Sequence, residues 1–164
     1  MALPKKTTGS GTKAFFSGDK TDWKEFASIS KISPPSMSRG TVEVTDMNSY
    51  ENNNQFKEFL GDFIEAEEMS IEGYFVKDDE GREALEAAFY AGTNCYIKIQ
   101  LPPAIGQDMI VGGVLTKYQA IGEISTSAGI PFMLSMKPNG KPEMSPTAEQ
   151  ASVTPQTGEN SQTT

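Results

Sequence analysis

The sequence predicts a mainly β (α+β) chain, an antiparallel β-sandwich or half-barrel of six or seven strands with one flanking α-helix. Three observations predict it. Runs in which apolar and polar residues alternate with period two recur between residues 23 and 136, the spacing that puts successive side chains on opposite faces of a strand. Gly, Pro and Asn punctuate these runs at short intervals. A single stretch carries helical spacing together with its own start and stop signals.

The elements follow in order. Residues 1–13, MALPKKTTGSGTK, are polar, contain glycine and carry three lysines, the composition of a flexible arm. Trp23, Glu25, Ala27 and Ile29 alternate with Lys24, Phe26, Ser28 and Ser30 in a strand that ends before Pro34-Pro35. In the next, Val42 and Val44 share one face, with Thr41, Glu43 and Thr45 on the other. Met69, Ile71, Gly73 and Phe75 then face one way, and Glu68, Ser70, Glu72 and Tyr74 the other. The helix follows. Asp78 or Asp79 can cap it, Glu80 and Glu83 suit its positive N-terminal end, and Gly92 can supply a left-handed stop. Its stripe of Ala84, Leu85, Ala88 and Phe89 is too short to stand alone and must dock on a sheet. Strands over 96–101, 109–118 and 132–136 complete the set, with a weaker one at 121–125. The domain body spans residues 14–142, and the 22 residues from Glu143 hold three Glu, no Lys or Arg and few bulky apolar groups. Such a tail does not bury enough surface to offset its ordering entropy, so it is expected to be disordered or ordered only by assembly.

Composition excludes several function classes. A chain of 164 residues suits one domain with its own core. It has no His and one Cys, which removes disulfide frameworks, cysteine-cluster zinc sites and the usual proton-transfer side chain. Cys95 has no histidine to activate it and reads as a structural thiol. The acid clusters Glu65-Glu67-Glu68 and Asp78-Asp79-Glu80 nominally offer the two carboxylates of a glycosidase, but one Trp leaves no sugar platform. Asp46 to Glu51 begins like a calcium loop, yet Tyr50 takes a ligand position and Glu51 the required glycine. The segment Gly9-Ser10-Gly11-Thr12-Lys13 lacks phosphate-loop spacing. No enzyme, metal or cofactor is expected. The longest apolar stretch, Met109 to Leu115, is far short of the ~20 residues a membrane helix needs. Lys5 and Lys6 lead into no apolar core, so no secretory signal is expected and synthesis is placed in the cytoplasm.

The net charge of −8 argues against a surface that grips phosphate backbones, though not against one that nucleic acid slides past. Residues 43–86 hold 14 acids and three bases. Repeated round a ring of subunits, Glu43, Glu68 and Glu72 would repel phosphates from a pore wall. Residues 46–65, DMNSYENNNQFKEFLGDFIE, are long for a connection in a compact domain. They join an Asn-rich tip to Phe56, Phe59, Leu60 and Phe63, an apolar decoration that suits an arm packing on another chain.

The order of parts carries a resemblance over residues 23–138. Its landmarks are Trp23 and Phe26, Ile29-Ser30-Lys31-Ile32-Ser33-Pro34-Pro35, Thr41 to Met47 opening a long loop, Phe59-Leu60-Gly61-Asp62-Phe63 and the Glu-rich strand at 71–76. After them come Gly81-Arg82-Glu83-Ala84-Leu85, the strand at 94–100 and Gly112-Gly113-Val114-Leu115. The sequence resembles the major tail proteins, or tail tube proteins, of long-tailed phages with non-contractile tails, the lambda type. The resemblance implies a virion protein whose subunits join into hexameric rings with a continuous inner β-barrel. The rings stack into a tube whose lumen, lined here by Glu43, Glu68 and Glu72, conducts DNA into the host. It assigns residues 46–65, with Tyr50, Phe56, Phe59, Leu60 and Phe63, to contacts between rings. It also implies tape measure, tail tip or baseplate and tail terminator proteins as partners. The alternative reading is a soluble β-sandwich binding module with an exposed edge or pocket, which would stay monomeric.

Overall fold

The computed structural model describes residues 8–46 and 56–147. Within them the chain forms ten strands and one helix: β1 (Lys13–Ser17), β2 (Lys24–Glu25), β3 (Ile29–Ser33), β4 (Met37–Glu43), β5 (Phe59–Ala66), β6 (Met69–Tyr74), α1 (Glu80–Ala91), β7 (Cys95–Gln100), β8 (Gln107–Gln119), β9 (Pro131–Pro138) and β10 (Glu143–Pro146). Eight strands form one antiparallel sheet in the order β2-β1-β7-β8-β9-β6-β3, with β10 added on β8, while β4 and β5 pair only with each other.

The long strand β8 organises the body. Its first half pairs with β7 from Cys95↔Gly113 to Gln100↔Asp108, and its second half pairs with β9 from Gly113↔Pro138 to Gln119↔Met133, across a bulge between Leu115 and Lys117. β10 continues the line of β9 along the first half of β8, from Glu143↔Ile110 to Pro146↔Gln107. Two layers result, β2-β1-β7-β8-β10 and β8-β9-β6-β3, sharing one backbone. Ala14 and Phe16 of β1, Ile97 and Ile99 of β7, Ile71 of β6 and Leu134 of β9 all point into a common core. Phe26 from the first layer stacks on Phe132 from the second, with ring centroids 6.4 Å apart. Alternation produces this core directly, since β6, β7 and β9 each bury every second residue. Gly113 is required where β8 passes between β7 and β9: a Cβ there would lie 2.2 Å from the Lys137 carbonyl oxygen.

The helix forms where its signals lie. Asp79 accepts a bond from the Arg82 amide as N-cap, Glu80 and Glu83 occupy the first turn, and Gly92 ends it at φ 67°. Leu85 is fully buried, with Ala84, Ala88 and Phe89 packed beside it, so the helix covers one side of the sandwich.

Several elements differ from the sequence expectation. The run at 23–30 divides into β2 and β3, because Phe26 turns into the core between them. Residues 121–125 form no strand; that segment folds over the sheet end, where the Gly122 amide donates to the Pro131 carbonyl at 2.7 Å. β1 begins inside the stretch read as an arm, and β10 lies in the stretch read as tail, ending where the Thr147 hydroxyl donates to Asp108 at 2.9 Å. β5 occupies the end of the stretch read as a loop.

Candidate functional site: a projecting hairpin and open sheet edges

The hairpin β4–β5 extends the β3–β6 ladder. β3 and β6 pair up to Ser33↔Ser70, and β4 and β5 resume at Met37↔Ala66, leaving three residues on each strand between them. The register is therefore unbroken. The ladder lapses in the middle because Pro34 and Pro35 have no N–H to donate; beyond them the Glu67 amide donates to the Ser36 carbonyl at 2.8 Å, and the Ser36 hydroxyl donates to the Glu67 carboxylate. One ribbon thus runs from within the sheet into an arm clear of the body. All seven residues of β4 and all but one of β5 are exposed.

The arm is apolar where an exposed ribbon should be polar. Met37, Val42, Val44, Phe56, Phe59, Leu60, Phe63 and Ile64 are all exposed. Phe63 is the extreme at 86%, and a bulge puts it there. Between the pairs Arg39↔Ile64 and Thr41↔Gly61, Gly40 alone opposes Asp62 and Phe63, the two-against-one arrangement that re-aims a side chain. The Arg39 guanidinium donates to the Asp62 carbonyl at 3.0 Å, and the Phe63 amide donates to the Asp62 carboxylate at 2.8 Å. Of the residues expected to contact a neighbouring ring, Phe56, Phe59, Leu60 and Phe63 lie on or beside this arm, and Tyr50 lies outside the described residues. The bulge breaks period two, which is why β5 escaped the pattern. Val42 and Val44, although alternating, face solvent.

The three carboxylates expected at a pore wall fall on one ribbon. Odd-numbered residues share a face along β3 and β4, so Lys31, Ser33, Met37, Arg39 and Glu43 lie together. Glu72 pairs with Lys31, and Glu68, four residues back along the chain, falls on the same face. This is the face turned away from the core, since Ile71 beside Glu72 is fully buried. Glu43 lies out on the arm, where an ion pair with Lys57 at 3.0 Å holds its carboxyl below the usual range. Across the sheet this face shows two rows, Lys31–Glu72–Met133–Gln119 and Ser33–Ser70–Ser135–Lys117. Hydroxyls, an amide and charges of both signs make it smooth and polar, without the basic cluster that would hold a phosphate chain.

Open edges complete the geometry. Among the described residues β3 pairs only with β6, and no strand pairs the second half of β8 on the side away from β9. The four-strand layer β8-β9-β6-β3 therefore ends in a free ladder on each side, the condition that invites strand addition from another chain.

Among the described residues no cluster of acids or Cys is arranged to hold a metal. Cys95 is wholly buried, donates to the Gly113 carbonyl at 3.7 Å, and burial pushes its thiol up to about 11. No helix of the described residues is long and apolar enough to cross a membrane.

An exposed apolar arm and two unpaired sheet edges define a β protein built for association with further chains. Solved structures give that class a particular form. The chain is similar to the tail of an empty gene transfer agent particle refined with C6 symmetry, with a TM-score of 0.66 at 17% identity, covering 85% of this chain and 99% of that one. It is similar to a chain of the six-fold symmetrised anti-feeding prophage baseplate, with a TM-score of 0.65 at 10% identity over 90% and 99% of the two chains. It is also similar to the SPP1 tail tube, with a TM-score of 0.61 at 13% identity over 85% and 78%. No protein-family model and no curated protein matches the sequence. The fold is that of phage-type tail tube subunits.

Proposed function

We propose that this chain is the major tail tube subunit of a phage-type tail, a structural virion protein and not an enzyme. Copies associate edge to edge into hexameric rings, and the rings stack into a hollow tube. The observation that carries the reading is the layer β8-β9-β6-β3 with a free ladder at each side. Joining β3 of one copy to the second half of β8 in the next is a heterologous contact, and repeated round an axis it closes a ring. The polar face of Lys31, Glu72, Ser70, Ser135 and Gln119 then lines the bore, with Glu68 on the same wall and Glu43 further out on the arm. Phage DNA passes along this wall without specific binding, because Glu68 and Glu72 offset the dispersed Lys31 and Lys117 and no basic cluster is left to hold a phosphate chain. Residues 46–65, with Tyr50, Phe56, Phe59, Leu60 and Phe63, reach the adjacent ring. The tube's ends meet a tape measure protein, a tail tip or baseplate and a terminator.

The fold of the neighbours supports this reading, as does the C6 symmetry of the gene transfer agent tail. Sedimentation over a concentration series, followed by negative-stain microscopy, tests it. The expected result is growth from small species into rings and tubes with an axial hole. A monomer that persists at every concentration, as a soluble binding module would, overturns it.

A further inference from the structure

The turn between β9 and β10 carries a reactive pair that a tube wall does not need. Asn139 is the one asparagine of the chain followed by glycine, and asparagine is among the thermally labile side chains. The glycine matters because it has no Cβ to crowd its own amide nitrogen. The fold leaves that nitrogen free. Both residues are exposed, a Cβ on Gly140 would meet nothing within 4 Å, and among the described residues the Gly140 N–H has no acceptor. The electrophile beside it is held in place: the Asn139 backbone amide donates to the Gly112 carbonyl at 2.9 Å, and its side-chain Nδ2 donates to Asn94 Oδ1 at 3.0 Å. Lys20 and Lys141 line a cleft of about 220 Å³ with Asn94, Asn139 and Gly140. Lys20 is paired with Glu143 at 3.2 Å, whereas Lys141 meets no carboxylate among the described residues. A cation so placed stabilises negative charge that develops on the Asn139 side-chain oxygen.

We infer that Asn139 is a site of spontaneous deamidation in the folded chain, converting to aspartate and isoaspartate; this stands apart from the tube reading. The Gly140 nitrogen attacks Asn139 Cγ. A new C–N bond closes a succinimide ring, the Cγ–Nδ2 bond breaks, and ammonia leaves carrying the proton that the Gly140 nitrogen gives up. Water then opens the ring at either carbonyl, releasing aspartate or isoaspartate. Nothing is oxidised or reduced, and water is the one co-reactant. Either product sets a carboxylate beside the unpaired Lys141, and Asn94 can turn its amide to donate to it. Isoaspartate also adds a methylene to the main chain. That change falls between the end of β9 at Pro138 and the start of β10 at Glu143, in an exposed turn that absorbs it without disturbing either ladder.

Incubating the full chain at mildly alkaline pH, with isoelectric focusing and peptide mapping for isoaspartate, tests it. The expected product is one unit more acidic, −9 in place of −8, with isoaspartate confined at first to the peptide that holds Asn139. Asn139→Gln should abolish the early shift. Gly140→Ala, with open space round its Cβ, should keep the fold and slow the conversion several-fold. Lys141→Gln separates the folded surroundings from the bare dipeptide: it should slow the conversion several-fold in the folded chain and leave it unchanged in urea. A folded chain that keeps its charge while the urea-unfolded one converts would overturn the inference, and so would conversion that begins at another asparagine. An equal rate in folded Lys141→Gln would overturn the part given to that lysine.

Discussion

Replacing Phe63 with Ser separates folding from assembly. Phe63 is 86% exposed and lies in a two-stranded arm outside the core, so its loss should change the stability of the isolated chain by no more than about 0.5 kcal/mol. On the proposed stacking of rings the same side chain becomes covered. Burying a Phe side chain is worth about 2–3 kcal/mol, and every 1.4 kcal/mol is about tenfold in an equilibrium constant. The concentration at which rings stack should therefore rise about 30- to 150-fold. Urea unfolding of the unassembled chain gives the first quantity, and light scattering over a concentration series gives the second. An unchanged stacking threshold would refute the argument that this bulge-aimed side chain anchors the contact. So would a large fall in the urea midpoint, which would mean that Phe63 serves the subunit's own fold.

Further outcomes follow from the core. Leu85→Ala should cost about 2–5 kcal/mol, because Leu85 is fully buried where α1 docks on the sheet; thermal unfolding measures it. Gly113→Ala should cost about 1–3 kcal/mol, since its Cβ would meet the Lys137 carbonyl oxygen at 2.2 Å, while Gly140→Ala, with nothing within 4 Å, should be neutral in the same urea experiment. Cys95 should resist thiol reagents at neutral pH and react on unfolding. Its thiol ionises at its ordinary 9.0 in the unfolded chain and at about 11 in the folded one, so the unfolded state releases protons first as pH rises. This contribution to stability is intact below pH 9 and is lost between 9 and 11; Cys95→Ala should flatten that part of the urea-midpoint profile.

Much of the body was legible because its signals are local. An Asp78 or Asp79 cap, the apolar stripe and Gly92 mark α1, of which the structure uses Asp79, and alternation in β6, β7 and β9 identifies residues that fill the core. What was not legible depends on contacts across the chain. β10 shows no alternation of its own and is a strand because β8 offers it an edge. β5 is hidden by the Asp62–Phe63 bulge, which slips the period by one residue, although its Phe and Leu still announced an arm with somewhere to go. The carboxylates illustrate the limit of a one-strand reading. Glu72 is outward-facing, as its alternation with Ile71 indicates, but its neighbours Lys31 and Met133 come from other strands. Their side chains determine whether the wall is acidic or balanced, and no local pattern carries that register.

The strand β8 belongs to both layers at once, and this limits how the subunit can come apart. Peeling β7 from it bares Gly113 beside Pro138; peeling β9 bares the same backbone from the other side. Gly113, where the two ladders meet, is held from both sides, so the amides at the middle of β8 should be among the slowest to exchange with solvent. The crossing ties the two layers to one strand, and a conduit made from such subunits would have its walls pinned at that point.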